Sequence, residues 1–131
     1  MSDWAIVNLL DVDDSAAGRV DGLEARMGRS ELGSRDLGVS LFRYAAGLRS
    51  PVSHSHREQE EAYVVVSGSG RIRLGDEIRD LRQWDVVRVA PEVVRAFEAG
   101  PDGLEVVAVG GPKPEGGDGE LNDSPWPDAA A

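Results

Sequence analysis

The chain reads as an all-β, single-domain protein, a sandwich or closed barrel, on three observations. Short runs rich in Val, Ile, Leu, Tyr and Phe recur from Trp4 to Val109, several with the period-two alternation of a half-buried strand. Clusters of Gly, Pro and Asp separate them at regular intervals, and helical periodicity is almost absent. At 131 residues the chain has length for one core and not for two.

Taken in order, Trp4 to Leu10 is expected as a short strand, followed by an acidic turn over Asp11 to Asp14 and a loop from Ser15 to Gly18. Leu23 to Met27 is a further strand or a loose arm, with a short helix as the alternative. Leu37 to Ala46 alternates Leu37, Val39 and Leu41 against Gly38, Ser40 and Phe42, which predicts a strand. Gly47 and Pro51 then bend the chain toward His54 and His56. After the apolar run Ala62 to Val66, Gly68-Ser69-Gly70 reads as a turn. Arg71 to Leu74 is a half-buried strand, Gly75-Asp76 a turn, and Glu77 to Leu81 the returning strand. Trp84 to Val89 follows and ends at Ala90-Pro91, because proline cannot donate to a ladder. Val93 to Glu98 comes next, then a tight turn at Gly100-Pro101-Asp102-Gly103, and Leu104 to Val109 is the last strand.

From Gly110 the composition changes to Gly, Pro and acid, so the chain divides into a barrel over residues 1–111 and a tail over 112–131. Such a tail cannot bury enough apolar surface to fold alone. Trp126 is its exception, with two readings open: a stray aromatic on a disordered tail, or an anchor docking on the barrel or a partner subunit.

Composition excludes several functions. With 24 acids against 14 bases and a formal charge of −10, the chain lacks the basic face that nucleic acid requires. It has no cysteine, which excludes disulfides, thiolate metal sites and cysteine nucleophiles. The first residues, MSDWAIVNLLDVDD, show neither a basic leader nor a long apolar run, so no membrane association and a cytoplasmic location are expected. No Ser-His-Asp arrangement and no phosphate-cradling glycine loop is present.

The chemistry concentrates between Gly47 and Gly68. His54 and His56, the two histidines of the chain, stand two apart and so face the same way on a strand. After a short turn, the next strand directs Glu61, Tyr63 and Val65 to one face and leaves Glu60 to solvent. Two imidazoles and a carboxylate brought together by such a hairpin form a metal-ligand set. Arg95 shares parity with Val93 and Phe97. If it points inward it needs a partner, and three arrangements are open: a pair with Glu61 that leaves a metal-free pocket, a position at the mouth beside a metal, or a grip on an anionic ligand. An outer-surface position is the fourth. Tyr63 and Phe97 line the pocket or pack the core, with packing the first reading, and Gln59 reaches the ligands or is simply solvated.

The order Gly47…His54-x-His56-x4-Glu61-x6-Gly68 resembles the first motif of the cupin superfamily, with one extra residue between Gly47 and His54. The second motif is present in altered form over Trp84 to Phe97. Trp84 stands at a usual glycine before Asp85, Glu92 at a turn glycine, and Arg95 at the position of the last metal-binding histidine. Within that superfamily the chain is similar to small bacterial single-domain cupins of the RmlC-like, mannose-6-phosphate isomerase-like kind. The resemblance implies a cupin β-barrel of jelly-roll type. It also implies a divalent metal (Zn, Fe, Ni or Mn) on His54, His56 and Glu61, or none if Arg95 pairs with Glu61, and a small polar or anionic ligand. By analogy a homodimer is expected, with the strand near Trp4 as the exchanged element. Any catalysis would be that of a metal-dependent isomerase or dioxygenase, and the alternative is a metal-free binding or sensor protein.

Overall fold

A computed structural model describes residues 3–129. Eight strands form one curled antiparallel sheet: β1 (Leu23–Met27), β2 (Gly38–Tyr44), β3 (Ser53–His56), β4 (Glu61–Leu74), β5 (Glu77–Arg82), β6 (Val86–Val89), β7 (Arg95–Gly110) and β8 (Gly119–Asn122). The path runs β1-β2-β7-β3-β8, and β4 pairs with β7 on one side and with β5 and β6 on the other. A single helical turn, α1 (Arg29–Leu32), separates β1 from β2. No helix among the described residues is long and apolar enough to cross a membrane.

The long pair β4 and β7 builds the core. Facing residues of an antiparallel pair share a side of the sheet, so Val65 opposite Val106, Tyr63 opposite Ala108 and Ile72 opposite Phe97 stack their side chains inward. All six are buried, and Tyr44, Leu81, Val89 and Leu104 close the cluster around them. The fold class expected from alternation is the one observed.

Two expected turns are corrected. Gly68-Ser69-Gly70 does not end a strand: β4 runs through it, with register shifts between Val65 and Ser67 and between Gly68 and Gly70. Nor does Gly100-Pro101-Asp102-Gly103 end one, since β7 also continues. Gly68 faces Leu104 while Gly70 faces Ala99, so the extra residues of β7 bulge out where both strands bend. Gly68 has φ 76°, and a Cβ there would collide with the carbonyl oxygen of Gly103. These glycines therefore allow two backbones to bend in contact.

The N-terminal expectation is also corrected. Residues 4–8 pair with no strand, and Leu9–Asp11 is a 3-10 turn closed by Asn8, whose side chain accepts from the Leu10 N–H. The available edge of β1 is already engaged by the next segment, where Asp14 bridges Arg26 and the Ser15 N–H donates to the Ala25 carbonyl. Trp4 and Ile6 are left 73% and 87% exposed.

The tail packs on its own barrel. β8 pairs along β3, with Ser53 opposite Asn122 and His56 opposite Gly119. Beyond it Trp126 is only 7% exposed, lying 4.3 Å under the Arg49 guanidinium. Asp128 accepts from Arg49 at 2.7 and 3.0 Å, and Arg73 donates to the carbonyl and hydroxyl of Ser124.

Candidate metal centre

β3 lies between β7 and β8, and its register places His54 opposite Arg95. Because His56 is two residues on, it shares that face. Glu61 is the first residue of β4, and its inward neighbours Tyr63 and Val65 are buried as parity requires. The three side chains meet: Glu61 Oε1 is 3.1 Å from His56 Nε2 and 3.5 Å from His54 Nε2, and the three ligand atoms lie within 4.8 Å of one another. The imidazole rings stand nearly perpendicular at 5.2 Å. Ligands around a tetrahedral zinc are separated by about 3.3 Å, and the two histidine–carboxylate separations are close to that.

The same carboxylate oxygen accepts from Tyr63 Oη at 2.6 Å and from Arg95 Nη2 at 2.7 Å. Burial alone would push the Glu61 carboxyl up. The contacts of His54, Tyr63 and Arg95 outweigh it and hold the group near 2. Burial, followed by the charge of Glu61, raises the Tyr63 hydroxyl far above its ordinary value, so it stays protonated as a donor.

Behind His56 stands a residue that the sequence reading did not select. Asp118, on the tail and 4% exposed, accepts from His56 Nδ1 at 2.9 Å through Oδ1. Its Oδ2 accepts the backbone N–H groups of Glu58 and Gln59 at 2.8 and 2.7 Å. Burial raises this carboxyl, but the two backbone N–H groups and His56 bring it to about 2, so it is ionised at neutral pH. An ionised acceptor at Nδ1 requires the proton there, which leaves Nε2 as the nitrogen open to a cation or to a second proton. Among the described residues, His56 Nε2 is the buried side-chain polar atom without a hydrogen-bond partner. It faces the lone pairs of Glu61 Oε1, a contact that only a cation or a proton between them relieves. The donor set thus fits a divalent metal.

Arg95 is 0% exposed, and all three of its nitrogens are engaged: Nε with Tyr63 Oη, Nη1 with the Pro91 and Val93 carbonyls, and Nη2 with Glu61. It therefore points inward and pairs with Glu61, as in the first of the arrangements its parity left open, but the pair does not by itself displace a cation. Tyr63 and Arg95 both bond Oε1, and no hydrogen bond among the described residues takes Glu61 Oε2. Phe97 packs edge-on to Tyr63 at 5.0 Å and tilted against Tyr44 at 5.7 Å, within the core. Gln59 is buried with its side-chain amide on the Gly111 carbonyl at 3.4 Å, while Glu60 lies outside and pairs with Arg88. Trp84, which the resemblance to the second motif sets at a glycine position, has φ 75°, in the left-handed region that favours glycine.

By sequence the chain matches no protein-family model and no curated protein. By structure it is similar to a cupin protein from Bacteroides fragilis, with TM-score 0.70 and 21% identity over 100% of this chain and 98% of that one. An RmlC-like cupin from Shewanella frigidimarina aligns with TM-score 0.66 and 20% identity over 86% of this chain and 96% of that one. A variant of oxalate decarboxylase from Bacillus subtilis gives TM-score 0.72 and 21% identity over 90% of this chain, which spans only 32% of that larger protein. At these identities the likeness is one of fold, and the fold is the cupin β-barrel.

Proposed function

We propose that this cupin-fold protein holds one divalent cation on His54, His56 and Glu61 and binds a small polar or anionic molecule beside it. The observation that carries the reading is the buried His56 Nε2, which has no hydrogen-bond partner and stands 3.1 Å from Glu61 Oε1. When bound, such a cation (Zn, Fe, Ni or Mn) would supply Lewis-acid polarisation of a ligand oxygen or activation of water or dioxygen, the chemistry of a metal-dependent isomerase or dioxygenase. The protein's own groups prepare the place for it. Tyr63 and Arg95 fix the Glu61 carboxylate and keep it ionised, while Asp118 fixes His56. The guanidinium of Arg95 is taken up by Tyr63, Glu61 and two backbone carbonyls, so a polar or anionic ligand would be held by the cation and not by Arg95. Tyr63, Phe97 and Gln59 act as the packed surroundings of that site.

A second reading rests on the 2.7 Å contact between Arg95 and Glu61. Here the ion pair satisfies the carboxylate, His56 carries the second proton, and the barrel serves as a metal-free binding or sensor protein. Elemental analysis after dialysis against each of the four metals separates the two. The first reading expects about one equivalent in the wild type and none in His54→Ala or His56→Ala. Arg95→His, which adds a third imidazole opposite His54, should tighten binding. A wild type that takes up no metal establishes the second reading.

A further inference from the structure

We infer that the C-terminal strap is a working part of the metal centre, with Asp118 as the positioning residue for His56, so that cation binding and docking of the strap reinforce each other. This inference rests on the metal reading above. Asp118 reaches the centre from outside the segment that carries the ligands, and two of its contacts, to the Glu58 and Gln59 N–H groups, fix its carboxylate before His56 is considered. Its remaining oxygen then decides which imidazole nitrogen carries the proton. With the proton on Nδ1, the lone pair of Nε2 points at the cation position. With the proton on Nε2, that nitrogen donates to Glu61 and no ligand is left there.

The strap that holds Asp118 is also secured by side-chain contacts that involve none of the three candidate ligands. It turns at Gly116 and Gly117, both with φ 78°, adds β8 to the edge of β3, and ends on the outer face. There Arg49 covers Trp126 and pairs with Asp128, while Arg73 holds Ser124. Detaching this anchor removes β8 from β3 and Asp118 from His56 together. By linkage, whatever the docked strap adds to cation affinity, the cation adds to docking.

The test uses the full chain, with Zn2+ as the probe. Asp118→Asn retains one oxygen, which the two backbone N–H groups claim, so its amide turns toward His56 Nδ1 and the ring proton moves to Nε2. Zn2+ affinity should fall roughly 10- to 100-fold. In metal-free protein the 15N ring spectrum of one of the two histidines should change, from two protonated nitrogens in the wild type to one in Asp118→Asn. A merely structural role would not move that spectrum. Trp126→Ala, which removes no candidate ligand, should also weaken Zn2+ binding, and in the wild type Zn2+ should slow amide hydrogen exchange across Gly119–Asn122. These last two measurements do not depend on Asp118→Asn folding. Equal Zn2+ affinity in Asp118→Asn with an unchanged ring spectrum overturns the role of Asp118. Exchange at 119–122 indifferent to bound Zn2+ overturns the coupling. A wild type that takes up no Zn2+ or other divalent metal overturns the metal reading instead, and the ring spectra then report on Asp118 alone.

Discussion

Glu61 and Arg95 would each be a poor occupant of a β-barrel interior alone, and side by side they are a stable one. A buried guanidinium stays charged, so it must lie against an acid, and a buried acid ionises only if donors surround it. The depressed carboxyls carry a pH signature. Glu61 and Asp118 titrate near 2 in the folded protein against 4.5 and 3.8 without it. A group with a lowered folded value contributes stability that is complete above its unfolded value and is lost as the pH falls toward the folded one. Each contributes on the order of 2 kcal/mol, so the denaturant midpoint should hold steady from pH 7 to 5 and drop steeply between about 4.5 and 2. In Glu61→Gln the drop should be shallower, and an equal slope would remove Glu61 from the account. At this scale the convergence of His54, His56 and Glu61 was legible, because spacing by two and strand parity are properties of the backbone. The inward aim of Arg95 followed from the same parity with Phe97. Asp118 was not legible, since an acid in a Gly-rich tail has no periodicity to give it a face.

Among the elements, turn signals were misread where two strands bend without stopping. Gly68-Ser69-Gly70 and Gly100 to Gly103 have the composition of turns, but the glycines serve a bulge in which β4 and β7 remain paired on either side. Sequence composition reports that a backbone needs positive φ or close approach, and does not say whether the chain reverses afterwards. The β5 to β6 connection shows the converse. Trp84 holds φ 75°, a conformation that costs a side-chain-bearing residue about 1–2 kcal/mol. Its indole is 68% exposed and returns little packing for that cost. Trp84→Gly should therefore stabilise the protein by about 1 kcal/mol after glycine's own loss of chain entropy is counted. Thermal unfolding checks this, and an unchanged or lowered midpoint would mean that the indole makes compensating contacts.

For the molecule as a whole, the all-β class was legible because the alternation of some eight segments is redundant, and no single misread turn alters it. The expected strand at Trp4 failed because pairing needs a free edge, and the edge of β1 is engaged by Asp14 and Ser15. Trp4 and Ile6 are then left largely exposed among the described residues. If the homodimer expected by analogy forms, that arm is where it would be tested. Light scattering should give twice the chain mass, and Trp4→Asp with Ile6→Asp should return it to the monomer. A wild-type monomer would leave the arm without that role. The placement of the three indoles has a consequence for spectroscopy. Trp4 and Trp84 emit from water, whereas Trp126 emits from beneath a guanidinium on the barrel wall. With the first two replaced by phenylalanine, the fluorescence maximum of the third becomes an intrinsic gauge of how firmly the chain end is seated, readable in real time as metal is added or chelated.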